Sequence, residues 1–169
     1  MSTSIFKIRA AEIMCRQTVT VSPTDLVHEA LRAMEEHRVA ALPVVDGQGR
    51  VVGMLSSTDL VDLCRRMDDE LHQLSGLSTL SREWLINKLA ADGDGRQVRE
   101  VMVSPVATVG PNTPLEIILD ELLRNKVHRL PVVDNESRLV GLISTTDVIR
   151  TLAKQAKDEA GVESFVRQM

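Results

Sequence analysis

Two kinds of hydrophobic spacing alternate along the chain. Residues 18–21, Thr18-Val19-Thr20-Val21, form a short β-branched stretch suited to a strand. A polar turn containing Pro23 follows. Leu26, Val27, Ala30, Leu31 and Met34 then recur at the three-and-four spacing of a helix with one apolar face. Two apolar runs come next, 42–45 and 51–55, separated by Asp46-Gly47-Gln48-Gly49. That pattern predicts a hairpin with Asp-Gly as its turn. A second helix is expected to start near Ser57. The order β-α-β-β-α occupies about 50 residues, a typical size for one supersecondary unit.

The same pattern returns. Shifting the chain by 88 residues aligns 12–61 with 100–149 without a gap, and 18 of those 50 positions are identical. Leu42-Pro43-Val44-Val45-Asp46 recurs as Leu130-Pro131-Val132-Val133-Asp134. Ser56-Ser57-Thr58-Asp59 recurs as Ser144-Thr145-Thr146-Asp147. Residues 106–109 repeat the first strand, Leu115, Ile118, Leu119 and Leu122 repeat the helical face, and Thr145 opens the second helix. Units this small rarely hold a core alone, so the two are expected to pack their sheets together.

The expected organisation is a first repeat over 8–65, a helical insert over 66–97, a second repeat over 98–153 and a tail over 154–169. The insert continues the helix after Asp59 through Asp68-Asp69-Glu70. Ser81 then caps a further helix with Trp84, Leu85, Lys88 and Leu89, which Asp92-Gly93-Asp94-Gly95 ends. The tail reads as helical at first and weakens after Gly161.

Composition narrows the function classes. Aromatic residues make up only 2% of the chain, with no tyrosine, so the core must be aliphatic. The formal net charge is −4. An acidic, aromatic-poor chain lacks both the basic footprint and the stacking platforms of nucleic-acid binding. No run approaches the roughly 18 to 20 apolar residues that span a bilayer, and the first 14 residues do not resemble a signal peptide. Cys15 and Cys64 form no metal-spaced or redox-spaced pair. A cytoplasmic protein with reduced thiols is the expectation.

Several motifs carry no chemistry. Gly47-Gln48-Gly49…Gly53 lies between strands, whereas a dinucleotide fingerprint needs strand, loop and helix in that order. Asp92-Gly93-Asp94-Gly95 has Arg96 where a calcium loop needs an oxygen ligand. The four histidines, His28, His37, His72 and His128, show no metal spacing, and no catalytic arrangement is defensible. No metal site and no catalysis are expected.

Two features remain. Ser-x-x-Asp, as Ser56 with Asp59 and Ser144 with Asp147, suits a helix capping box. The same geometry also suits a ligand: hydroxyls at a helix N-terminus can donate to phosphate, and an acceptor-only aspartate suits a ribose diol. His128-Arg129 enters the strand that begins the second hairpin. It is either a solvated pair or a phosphate fork. The first repeat has Ala40-Ala41 there, so the repeats must differ in how well they hold phosphate.

These repeated Leu-Pro-Val-Val-Asp and Gly-apolar-apolar-Ser-x-Thr-Asp motifs resemble a tandem pair of CBS domains, the cystathionine β-synthase type. The stretches 37–43 and 127–131 are similar to nucleotide-site motifs of the γ subunit of AMP-activated protein kinase. The resemblance implies an α/β (α+β) fold with two β-α-β-β-α repeats in pseudo-twofold symmetry and two adenosine-binding clefts. It implies that Asp147 holds ribose while His128, Arg129, Ser144 and Thr146 surround phosphates. Leu142, Val19, Ala40 and Ala41 would line the adenine, partly through backbone groups. Ser56, Thr58 and Asp59 would form a second, weaker site. The ligand would be AMP, ADP, ATP or S-adenosylmethionine, bound by a non-catalytic regulatory homodimer that acts on an unknown effector protein. Helix-face residues Leu26, Leu31 and Met34 could serve either the dimer seam or the core. The alternative is a structural dimerisation module with decayed sites.

Overall fold

Helix and strand alternate in the described chain as the double pattern requires. The structure, a computed structural model, describes residues 7–67 and 95–166. Its elements are α1 (Ala10–Ile13), α2 (Val27–Glu36), β1 (Ala41–Val45), β2 (Val51–Ser56) and α3 (Ser57–Met67). A 3-10 turn at Val98–Glu100 follows, then α4 (Leu115–Arg124), β3 (Arg129–Val133), β4 (Leu139–Ser144) and α5 (Thr145–Val166). Two compact units result: one takes Thr18–Val106, the other Met1–Gln17 with Ala107–Met169. The helix expected from Ser81, the Asp68-Asp69-Glu70 extension and Asp92-Gly93-Asp94 lie outside the described residues.

Each unit is built around an antiparallel hairpin, β1 with β2 or β3 with β4. The expected first strands do not form. Each shrinks to one parallel bridge, Val21 with Val44 and Val109 with Val132. Val21 N donates to the Pro43 carbonyl at 3.1 Å and Val45 N donates to the Val21 carbonyl at 2.9 Å. The next rung of a parallel ladder would need the amide hydrogen of Pro43, and proline has none. Pro131 stops the other ladder at Val109 in the same way. The carbonyls of Val19 and its counterpart Ala107 thereby lose their donor, and neither residue has a backbone partner among the described residues.

At its other edge each hairpin takes a lead-in segment that the sequence repeat assigns to the other copy. Cys15 bridges Leu142 on β4, and Val103 bridges Met54 on β2. This exchange is why the compact units break the chain at different places from the 88-residue repeat. A glycine permits each contact. A Cβ built on Gly141 would lie 2.5 Å from Met14 Sδ, and one on Gly53 would lie 2.6 Å from Met102 Sδ.

The hairpin turns differ from the Asp-Gly turn expected of the sequence. Asp46 N donates to the Arg50 carbonyl and Gly49 N to the Asp46 carbonyl, both at 2.9 Å. The left-handed residue is thus Gly49, with φ +77°, rather than Gly47. This is a three-residue loop with a bulge, which needs positive φ at its last position. In the second hairpin that position is Ser137, at φ +63°. Asp46 and Asp134 organise the loops by accepting from the backbone N–H groups of Arg50 and Arg138. Those bonds, with the same arginines' guanidiniums, hold both carboxyls below the usual aspartate range. A left-handed L-residue costs about 1 to 2 kcal/mol, partly offset by the entropy a glycine loses. Ser137→Gly is therefore expected to stabilise the protein by about 0.5 to 1 kcal/mol. Gly49→Ala is expected to destabilise it by about 1 kcal/mol. Denaturant midpoints at unchanged slope read both effects.

The aliphatic core divides with the units. Val27, Ala30, Leu31 and Met34 of α2 pack with Leu42, Val44, Leu55, Leu60 and Val98. Leu115, Ile118 and Leu122 of α4 pack with Leu130, Val132, Ile143 and Val148. Each large aliphatic side chain removed from water contributes about 1.5 to 3 kcal/mol. Leu31 and Met34 are fully buried inside their own unit. They are core residues and offer nothing to a dimer seam, while Leu26 is the half-buried N-cap of α2. Both α2 and α4 stop on a left-handed residue that is not glycine, Arg38 and Lys126, followed by bonds from Val39 N to the Met34 carbonyl and Val127 N to the Leu122 carbonyl. The tail does not weaken at Gly161: α5 continues to Val166.

Candidate functional site

The Ser-x-x-Asp motif of the second repeat sits where β4 turns into α5. Ser144 N and Ser144 Oγ both donate to Asp147 Oδ2, at 2.9 and 2.5 Å, and Asp147 N donates back to Ser144 Oγ at 3.2 Å. This is the reciprocal capping box the spacing allows. β3 brings the second motif beside it. Arg129 lies opposite Ser144 in the register, and Thr145 N donates to the His128 carbonyl at 3.0 Å. Residues more than ten positions apart thus meet at one strand–helix corner. His128 and Thr146 are exposed there, whereas Arg129, Ser144 and Asp147 are half-buried. The other carboxylate oxygen, Asp147 Oδ1, accepts from Arg150 Nη1 at 3.1 Å.

The first repeat builds the same corner with other side chains. Ser56 N and Oγ donate to Asp59 Oδ2 at 2.7 and 2.6 Å, and Asp59 N returns a bond to Ser56 Oγ at 3.3 Å. Ala41 lies opposite Ser56, and Ser57 N donates to the Ala40 carbonyl at 2.9 Å. Thr58 is exposed on the first turn of α3. The difference between the corners is therefore chemical and not geometric: two methyl groups stand where the second repeat has imidazole and guanidinium.

The candidate residues divide between the two units. His128, Arg129, Leu142, Ser144, Thr146 and Asp147 belong to one, and Val19, Ala40, Ala41, Ser56, Thr58 and Asp59 to the other. Leu142 N donates to the Cys15 carbonyl and the Leu142 carbonyl accepts from Cys15 N, both at 2.9 Å. Its N–H is thereby committed, while its half-buried side chain and the second lone pair of its carbonyl remain for a ligand. Among the described residues Val19 has no backbone hydrogen-bond partner, and the proline effect described above accounts for its free carbonyl. Sequence reasoning missed Arg150, although a cation three residues after a motif aspartate was a legible signal. Position 62, its counterpart, is aspartate. Among the described residues no group of histidine, cysteine and carboxylate side chains could hold a metal, and no helix is long and apolar enough to cross a membrane.

Comparison with known proteins places this geometry. The CBS domain family model matches residues 10–66 and 98–154. The chain is 33% identical over 134 residues to the chloroplastic CBS domain-containing protein CBSX1 of Arabidopsis thaliana, covering 77% of this chain and 57% of that protein. It is 28% identical to the γ-3 subunit of 5'-AMP-activated protein kinase from Sus scrofa, covering 81% of this chain and 24% of the subunit. The chain thus spans less than two thirds of these relatives' length, 57% of one and 24% of the other. A crystal structure of CBSX2 in complex with AMP superposes with a TM-score of 0.67 at 28% identity, covering 88% of this chain and 98% of that one. With a duplicated hairpin-and-helix unit and a matching model over both copies, the chain belongs to the CBS domain family as a tandem pair.

Proposed function

We propose that this chain is a regulatory, non-catalytic module that binds an adenosine nucleotide of the AMP, ADP or ATP type, mainly through its second repeat. The observation that carries the reading is the corner where His128, Arg129, Ser144 and Asp147 converge. Imidazole and guanidinium donors suit phosphate oxygens, and the aspartate suits the ribose hydroxyls. Thr146 adds an exposed hydroxyl. The CBSX2 complex with AMP, close to this chain in fold and related in sequence, supports the ligand class. By the family resemblance, Leu142, Val19, Ala40 and Ala41 would line the adenine.

In the first repeat Ser56, Thr58 and Asp59 form the weaker site, because Ala40-Ala41 supplies no donor side chain. Its ligand would carry little negative charge, such as adenosine or S-adenosylmethionine. The reading includes a cytoplasmic homodimer that passes the ligand-bound state to an effector protein. Such signalling requires the ligand to prefer one arrangement of the repeats over another.

A second reading, a structural dimerisation module with decayed sites, draws on Ala40-Ala41 and on apolar side chains left in water, Leu123 at 74% and Ile149 at 65% exposure. Thermal melting separates the two. A ligand at 100 times its dissociation constant stabilises by about 2.7 kcal/mol, so AMP or ATP at millimolar concentration is expected to raise the melting temperature by several degrees. Unchanged melting with AMP, ADP, ATP and S-adenosylmethionine rejects the nucleotide reading in favour of the structural one.

A further inference from the structure

We propose that Arg150, one turn into α5, is the residue through which the second repeat selects phosphorylated over unphosphorylated adenosine ligands; this rests on the reading above. The argument starts from acceptor arithmetic on Asp147. An ionised carboxylate oxygen has room for about two hydrogen bonds. Asp147 Oδ2 already accepts two, from Ser144 N and Ser144 Oγ. Oδ1 accepts one, from Arg150 Nη1 at 3.1 Å. A ribose diol donates through two hydroxyls, so full engagement of Asp147 requires Arg150 to leave Oδ1.

The cost of that departure depends on where the guanidinium goes. The Arg150 side chain is 74% exposed and thus free to swing, and a helical side chain of this length sweeps back over the preceding turn, toward the β4–α5 corner. A nucleotide gives it a phosphate partner in place of Asp147, exchanging one charge-assisted contact for another. A nucleoside displaces it into water and returns nothing. Arg150 therefore penalises adenosine and favours AMP from a single position. The first repeat supports this by contrast. Its corner has the same capping box, yet Asp62 stands at the position of Arg150. A carboxylate cannot donate to phosphate, so the first repeat loses this arm together with the His-Arg pair.

The test measures AMP and adenosine affinity by titration calorimetry on the full chain, for the unaltered protein, Arg150→Gln and Arg150→Lys. Arg150→Gln is expected to weaken AMP by roughly tenfold, the scale of one charge-assisted hydrogen bond, while adenosine binds as well as before or better. Arg150→Lys, which keeps the charge, is expected to recover part of the AMP affinity. A ratio of AMP to adenosine affinity that Arg150→Gln leaves unmoved overturns this proposal and leaves the nucleotide reading standing. Failure of the unaltered protein to bind either compound overturns the nucleotide reading itself, and this proposal with it.

Discussion

Asp147→Ala is expected to lower AMP affinity by at least about 100-fold, since two hydrogen bonds to a charged group contribute about 1.5 to 3 kcal/mol each. The same change removes the acceptor for Ser144 N and Oγ at the start of α5. Loss of such a cap costs about 1 kcal/mol of stability. Binding and folding effects are therefore mixed in this variant, and the internal duplication separates them. Asp59 caps α3 through the same three bonds, so Asp59→Ala is expected to lose the same stability. It should leave AMP binding at the second repeat nearly intact. Calorimetric titration with AMP, alongside chemical denaturation of both variants, checks the pair. Equal AMP affinity in the two variants would show that Asp147 is a cap and nothing more.

Gly141→Ala is expected to destabilise the protein by about 2 to 3 kcal/mol, in the range of an overpacked core. The added Cβ would stand 2.5 Å from Met14 Sδ, 2.8 Å from Met14 Cγ and 3.1 Å from the Cys15 carbonyl oxygen. The methionine can yield only in part, because it lies in the core of its unit. The carbonyl is less free still, held at 2.9 Å by Leu142 N. Met14→Ala alone is expected to cost about 2 to 5 kcal/mol through the cavity it leaves. Combined, the two changes should cost at least about 1 kcal/mol less than their sum, since removing the thioether makes room for the new methyl. Urea denaturation of the two single variants and the double variant gives the coupling. Simple additivity would mean that Met14 is not seated on Gly141, and the exchanged lead-in would lose its support. Gly53 with Met102 offers the same cycle in the other unit.

Local chemistry explains which features were legible before the fold was known. The apolar faces of α2 and α4 follow helical spacing, and most residues on them are buried, with Leu26 and Leu119 half-buried at the margins. Ser56 with Asp59 and Ser144 with Asp147 are three positions apart, so one turn of helix suffices to close each box. The strand expected at 18–21 failed for a different reason. Its residues favour extended backbone, and Val21 adopts it, but a ladder also needs donors on the neighbouring strand, and Pro43 withholds one. The turn failed similarly: Asp46-Gly47 looks like a two-residue turn, yet the Asp46 side chain bonds Gln48 N and Arg50 N and draws out a longer loop with Gly49 left-handed.

The amino-acid sequence by itself determined the duplication, the α+β unit, the division of apolar faces and the two capping aspartates. All of these depend on periodicity or on neighbours within four residues. Only the tertiary structure decided that Cys15 lies along β4 and Val103 along β2, that Leu142 bonds Cys15 through both backbone groups, and that His128 and Arg129 stand beside Ser144. It also decided that Arg150, rather than solvent, holds the second oxygen of Asp147. Each of these depends on which edge or side chain arrives from elsewhere in the chain. A pattern of buried and exposed positions shows that a face needs a partner, but carries no record of which segment supplies it.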